Sequence, residues 1–212
     1  MTAPILIMGA TSGIGAAAMA EATSRELPVR AFARGADDLA ASDLVEPFRG
    51  DALDRDSVAS ALDGVRAVIY ALGIKERLAM LWEEETLFSQ STRLLIPEMQ
   101  KAGVSRLVAV TGFGAGRSKS AMSSLEQLGH RAVLGRPYKD KDRQEELIME
   151  STLDWTIARP VILTKGARSD PRILREPETW RNGLISRASV AVYLIEAIEK
   201  DLDFQSDVVL AR

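Results

Sequence analysis

Near the amino terminus the apolar run Pro4-Ile5-Leu6-Ile7-Met8 passes straight into Gly9-Ala10-Thr11-Ser12-Gly13-Ile14-Gly15 and then into an alanine-rich stretch. That order reads as strand, glycine turn, helix. Gly9 permits a sharp turn out of the strand. Gly13 allows the backbone to approach a ligand with no side chain between them, and Gly15 lets the new helix pack closely on the sheet. A helix starting there directs unpaired N–H groups and a positive partial charge at what lies before it. The segment is therefore expected to cradle a dinucleotide pyrophosphate, through Gly9, Thr11, Ser12, Gly13, Ile14 and Gly15. Such glycines would also suit a turn that binds nothing, but the flanking strand and helix favour the nucleotide.

Composition excludes several other chemistries. The 212 residues, 46% of them hydrophobic, fit one domain with a full core. With no cysteine and a single histidine, disulfides, thiolate centres, cysteine nucleophiles and histidine-rich zinc sites are ruled out, and no metal is expected. A net charge of -3 argues against nucleic acid as the main partner. No apolar run approaches the ~20 residues of a bilayer span, and no signal peptide opens the chain, so a soluble cytoplasmic protein is expected.

Strand and helix signals alternate along the whole length. Strands are expected at Pro28 to Ala33, Val45 to Arg49, Ala67 to Leu72, Arg106 to Val110, Trp155 to Ala158 and Asp207 to Leu210. Helices are expected up to Leu62 behind an Asp54 or Asp56 cap, from about Glu84 to Ala102 with a kink or break at Pro97, up to Glu150, and from Ser189 to Lys200. This pattern implies an α/β fold with a doubly wound parallel sheet, whose ligand lies across the carboxyl ends of the strands. One domain spans residues 1–212, with a small substrate-side region built from the loops after the strands and from 160–187.

The residues just after each strand are then the ones that face the ligand. Arg34 follows the second strand, where an acidic residue would hold the ribose 2′-hydroxyl of NAD; a cation there suits the 2′-phosphate of NADP(H). Asp51 and Ala52 follow the third and can lie against adenine, although Asp51 is equally suited to a plain turn. Ala71, Leu72 and Gly73 offer a small apolar floor after the fourth. Thr111, after the fifth, is expected to point its hydroxyl at the nicotinamide end of the crevice.

Tyr138 and Lys141 carry the possible proton chemistry. A tyrosine can donate a proton while a nearby lysine binds ribose and lowers the tyrosine pKa. Their spacing of three still shares a helical face. Against this, Tyr138 could simply pack beside Pro137, and the charges from Lys139 to Glu146 could form a solvated face.

Four segments, taken in order, carry a family resemblance: the opening glycine turn; Val108-Ala109-Val110-Thr111-Gly112-Phe113-Gly114-Ala115-Gly116; Ser151-Thr152-Leu153-Asp154-Trp155-Thr156-Ile157-Ala158-Arg159-Pro160; and Ile185-Ser186-Arg187-Ala188-Ser189-Val190-Ala191. Over essentially its whole length the chain resembles an atypical short-chain dehydrogenase/reductase, similar to the NAD(P)H-binding group that contains flavin reductase (biliverdin reductase B) and the NmrA-like proteins. The resemblance implies a Rossmann-type fold, NADP(H), and hydride transfer to a small acceptor such as a flavin, quinone or carbonyl compound. It also implies Arg34 on the 2′-phosphate, Thr111 near the nicotinamide, Lys141 on the ribose, and Pro160, Val161 and Ile162 beside the carboxamide. Tyr138 and Lys141 depart from the family's usual spacing of four, and Thr152 replaces a usual glycine. Flavin-reductase-like members commonly dispense with the tyrosine. The alternative reading is a non-catalytic NADP(H) sensor of the NmrA-like type.

Other residues call for plainer roles. His130 suits a surface or helix end, Trp155 the core, and Glu83 to Glu85 a helix amino end. Ile74 to Trp82, Phe113 and Trp180 could either pack internally or wall a planar substrate.

Overall fold

Alternate residues of a strand point to opposite faces, so a strand apolar at every position must be covered on both sides. The first strand, β1 (Ile5–Met8), is of this kind, with all four residues fully buried. The computed structural model, which describes residues 2–73, 86–122 and 138–212, places it in the middle of an eight-stranded sheet. It pairs in parallel with β2 (Val29–Ala33) and β4 (Ala67–Tyr70), Ile5 lying opposite both Val29 and Ala67. With β3 (Val45–Arg49), β5 (Arg106–Val110), β6 (Asp154–Pro160), β8 (Arg172–Leu174) and β10 (Ser206–Ala211), the order is β3-β2-β1-β4-β5-β6-β10-β8. The order reverses at β1, which opens a crevice between the carboxyl ends of β1 and β4.

Each face has its own core. Ile5, Ile7, Val29, Ile69 and Val108 pack with α1 (Gly13–Ser24) and α5 (Arg187–Glu199) on one side. Leu6, Met8, Phe32, Val68 and Leu107 pack with α2 (Arg55–Leu62), α3 (Leu87–Ala102) and α4 (residues 138–149) on the other. The α/β doubly wound reading therefore holds.

Several expectations need correcting. Helix α3 runs through Pro97 without a break. Burial of Leu95, Ile96 and Met99 around that position offsets the missing N–H. Three short strands were not foreseen: β8, which runs antiparallel to β10, and the parallel pair β7 (Ile162–Thr164) and β9 (Leu184–Ser186). At three residues each, they are too short to show a period in the sequence. Trp180 and Phe113 are both buried at 5% exposure, so neither walls an open crevice. His130, Glu83 to Glu85 and Ile74 to Trp82 lie outside the described residues. Among the described residues, no helix is long and apolar enough to cross a membrane.

Candidate functional site

The glycine turn is shaped by two backbone approaches that exclude a side chain. A Cβ on Gly9 would stand 2.6 Å from the Ala71 carbonyl oxygen at the end of β4, and one on Gly15 would stand 2.2 Å from the Gly9 carbonyl oxygen. Gly9 also takes φ +88° and Gly13 φ +60°, a region that disfavours other residues. Gly13 differs from the other two in facing open space, with no atom within 4 Å of where a Cβ would be. Thr11, Ser12 and Gly13 are exposed, and the Ser12 side chain, at the helix N-cap, makes no capping hydrogen bond. Donors at the start of α1 are thus left pointing into the crevice, an arrangement that fits a pyrophosphate. Ile14 is half-buried behind them.

The structure brings Ala71, Leu72 and Gly73 alongside this turn, the Ala71 N–H donating to Met8 O at 3.0 Å. Arg34 is exposed directly after β2 and makes no ion pair with a described residue. Asp51 spends one carboxylate oxygen on the Leu53 N–H at 3.0 Å, as a turn residue does, and Ala52 is buried. Pro160 and Val161 are buried at the end of β6, whereas Ile162 is exposed.

One face of α4 clamps the loop after β5. Residues 138, 141, 142 and 145 follow the i, i+3, i+4, i+7 spacing that aligns side chains on one face. The Tyr138 hydroxyl lies against Gly112, where a Cβ would come within 2.6 Å of it. Lys141 Nζ donates to the Thr111 carbonyl oxygen at 2.7 Å and sits 4.5 Å above the Phe88 ring. Asp142 accepts from the Gly116 N–H at 2.7 Å and pairs with Lys119. Glu145 accepts the Thr111 hydroxyl proton at 2.6 Å. Tyr138, Lys141 and Thr111 are therefore neighbours at the carboxyl end of β5; of the charged run, Asp140, Lys141, Asp142 and Glu145 turn inward, while Lys139, Arg143 and Glu146 form an exposed face.

This geometry changes two expected roles. The Thr111 hydroxyl points at Glu145, so its proton is already used; towards a ligand its oxygen can only accept. Tyr138 is not acidified: burial, reinforced by the Glu145 charge, pushes its pKa up to about 12. Burial also lowers Lys141 to about 8, although Glu145 and Asp140 act in the opposite direction.

A buried ion network underlies the clamp. Arg159, fully buried on β6, binds Glu145 through Nε at 3.0 Å and through a second nitrogen at 2.7 Å, and it also pairs with Asp207 of β10. Asp207 takes a further bond, at 2.9 Å, from Arg117, which is largely exposed. Burial acts to raise the Asp207 carboxyl, but hydrogen bonds and charge from the two arginines outweigh it and hold the group below its ordinary value. The Trp180 ring lies 5.1 Å from the Arg117 guanidinium and 5.3 Å from that of Arg159. Nearby, buried Asp140 caps the amino end of α3, accepting from the N–H groups of Phe88 at 2.8 Å and Ser89 at 3.2 Å.

Sequence reasoning missed Asp140, Asp142, Glu145, Arg159 and Asp207. A usable signal did exist in the two charged residues set within apolar strands, Arg159 after Ile157-Ala158 and Asp207 before Val208-Val209.

A family model described as NAD(P)H-binding matches residues 9–201. The chain belongs to that family. The solved structure of ChuY, an anaerobilin reductase from Escherichia coli O157:H7, is similar at a TM-score of 0.80 and 28% identity, over 98% of this chain and 96% of that one. A short-chain dehydrogenase/reductase from Veillonella parvula in complex with NADP superposes at a TM-score of 0.83, over 100% of this chain and 95% of that one; at 14% identity it speaks to the fold. Sterol demethylase protein B of Methylococcus capsulatus is 36% identical over 174 residues, 74% of this chain. The chain spans about half the length (51%) of that curated relative. Family membership agrees with the Rossmann strand order and with the glycine turn that opens the matched residues.

Proposed function

We propose that this protein is an NADPH-dependent oxidoreductase that reduces a small conjugated acceptor of the flavin, quinone or carbonyl class. The observation that carries the reading is the convergence on one sheet edge of the open glycine turn after β1 and the Tyr138, Lys141 and Thr111 cluster after β5, with only β4 between them. Reduced nicotinamide, when bound, supplies the hydride. The chain's own residues bind and orient: the turn from Gly9 to Gly15 holds the pyrophosphate, Arg34 the 2′-phosphate and Lys141 the ribose. Asp51 and Ala52 border the adenine, Ala71 to Gly73 floor the crevice, and Pro160, Val161 and Ile162 flank the carboxamide. The Thr111 oxygen accepts from a ligand N–H or O–H. Solvent supplies the proton that completes the reduction, and Tyr138, raised by burial instead of acidified, is assigned no donor role.

The test is oxidation of NADPH by purified protein across a panel of flavins and quinones, followed through the absorbance of the reduced nicotinamide. Turnover that is blocked by NADP supports the reading. Tight NADP(H) binding with no turnover on any acceptor would instead favour the non-catalytic sensor.

Two variants test the assigned roles. Arg34→Ala removes a charge-assisted contact worth about 1.5–3 kcal/mol, so KM for NADPH should rise roughly 10- to 100-fold while KM for NADH stays nearly constant. Equal loss for both nucleotides would remove Arg34 from the 2′-phosphate. Tyr138→Phe should lower kcat by less than about tenfold, since a general acid contributes on the order of 100-fold or more. In the same assay, kcat/KM for NADPH should fall as pH rises through about 8, where Lys141 loses its charge. Lys141→Met should flatten that limb of the profile.

A further inference from the structure

The paired strands β7 and β9 set two large apolar side chains side by side in water. Ile162 lies opposite Leu184 in their register, and each is 57% exposed. This platform continues directly from β6. The Phe113 N–H donates to Pro160 O at 3.0 Å, the Val161 N–H to Leu210 O at 3.0 Å and the Ile162 N–H to Gly183 O at 3.1 Å. It thus begins two residues beyond Pro160, at the same sheet edge as the Thr111 loop.

Leu184 also lines a cavity of about 320 Å³ together with Arg172, Arg181 and Arg212. None of these three arginines makes an ion pair or side-chain hydrogen bond with a described residue. Arg49, Arg168 and Arg175, also on the surface, are each matched with a carboxylate, of Asp37, Glu21 and Asp203, whereas exposed Arg34 and Arg93 stand apart from one another without one among the described residues. Three unpaired guanidinium groups around one cavity repel each other, and their planar forks fit a carboxylate or phosphate. An apolar shelf beside a cationic cavity matches a ligand with a flat apolar body and an acidic arm.

We propose that the cavity is the anion-recognising end of the acceptor site. The conjugated body of the acceptor lies on Ile162 and Leu184, and its carboxylate or phosphate is held by Arg172, Arg181 and Arg212. This inference rests on the oxidoreductase reading and narrows its substrate class to anionic acceptors.

Matched acceptor pairs test it: riboflavin against flavin mononucleotide, which share a ring and differ by a phosphate, and a naphthoquinone against its carboxylate-bearing analogue. The anionic member of at least one pair should show a kcat/KM about tenfold higher, expressed mainly in KM and eroded by salt. Which pair responds identifies the arm as phosphate or carboxylate. In Arg172→Gln/Arg181→Gln, folded by circular dichroism, the ratio of anionic to neutral kcat/KM should fall to about one. Equal kcat/KM for charged and neutral acceptors in the unaltered protein, or a preference that survives the double substitution, would overturn the proposal and leave the oxidoreductase reading standing. If no acceptor turns over, that reading fails instead. Equilibrium dialysis of flavin mononucleotide and the quinone carboxylate then decides the anion site alone: binding lost in the double variant supports it, and absent or unchanged binding defeats it.

Discussion

Arg159→Met is expected to destabilise the protein by about 3–5 kcal/mol, the cost of leaving a buried charge without its partner. Glu145 would keep only the Thr111 hydroxyl, while Asp207 would keep Arg117. Urea denaturation should show the loss as a lower midpoint with little change in slope. The pH dependence carries a second signature. Arg159 is one of the two arginines that hold the Asp207 carboxyl below its ordinary value, so its removal lets the folded-state pKa of Asp207 rise. The stability contributed by the depressed pKa is present above the unfolded value and lost as pH falls through the folded one, so the deficit should be largest near neutral pH and shrink as pH falls through the acid range. A loss below about 1 kcal/mol would mean that the network relaxes around the substitution.

Gly15→Ala should weaken cofactor binding by about 100-fold in a protein that still folds. The added methyl would meet the Gly9 carbonyl oxygen at 2.2 Å, an atom that cannot move without shifting the end of β1 or the start of α1. Either shift displaces the N–H groups aimed at the pyrophosphate, and a displacement of about 1 Å costs on the order of 100-fold in a positioned site. The strain itself should cost about 1–3 kcal/mol of stability. Fluorescence titration with NADPH beside thermal melting separates the two effects. Binding within threefold of the unaltered protein would sink the assignment of this turn as the phosphate cradle. Gly13→Ala provides a contrast, since a Cβ there meets no protein atom but the φ of +60° and the open face remain demanding.

Much of the architecture was legible because it depends on local patterns. The apolar run Pro4 to Met8 announced a strand, and the glycines announced where it must turn. Arg34 could be placed after its strand for the same reason. The short strands β7, β8 and β9 could not be read, because three residues carry no period and their partners lie far along the chain: Ile162 meets Leu184, and Leu174 meets Val209. At Pro97 local propensity argues for a kink or break, and tertiary burial of the helix face keeps the helix continuous.

The site divides along the same line. By itself, the sequence determined a glycine turn between the first strand and first helix of a doubly wound sheet, since glycine spacing and strand apolarity act between neighbours. Only the tertiary structure decided what surrounds the far end of the crevice. Glu145, Arg159 and Asp207 come from α4, β6 and β10, and their charges are tolerable only because the fold buries them together. Within that assembly Glu145 turns the Thr111 hydroxyl inward, and burial, reinforced by the Glu145 charge, raises the Tyr138 pKa. An electrostatic environment is a sum over residues distant in the chain, so no reading of Tyr138 and Lys141 at their spacing could have supplied it.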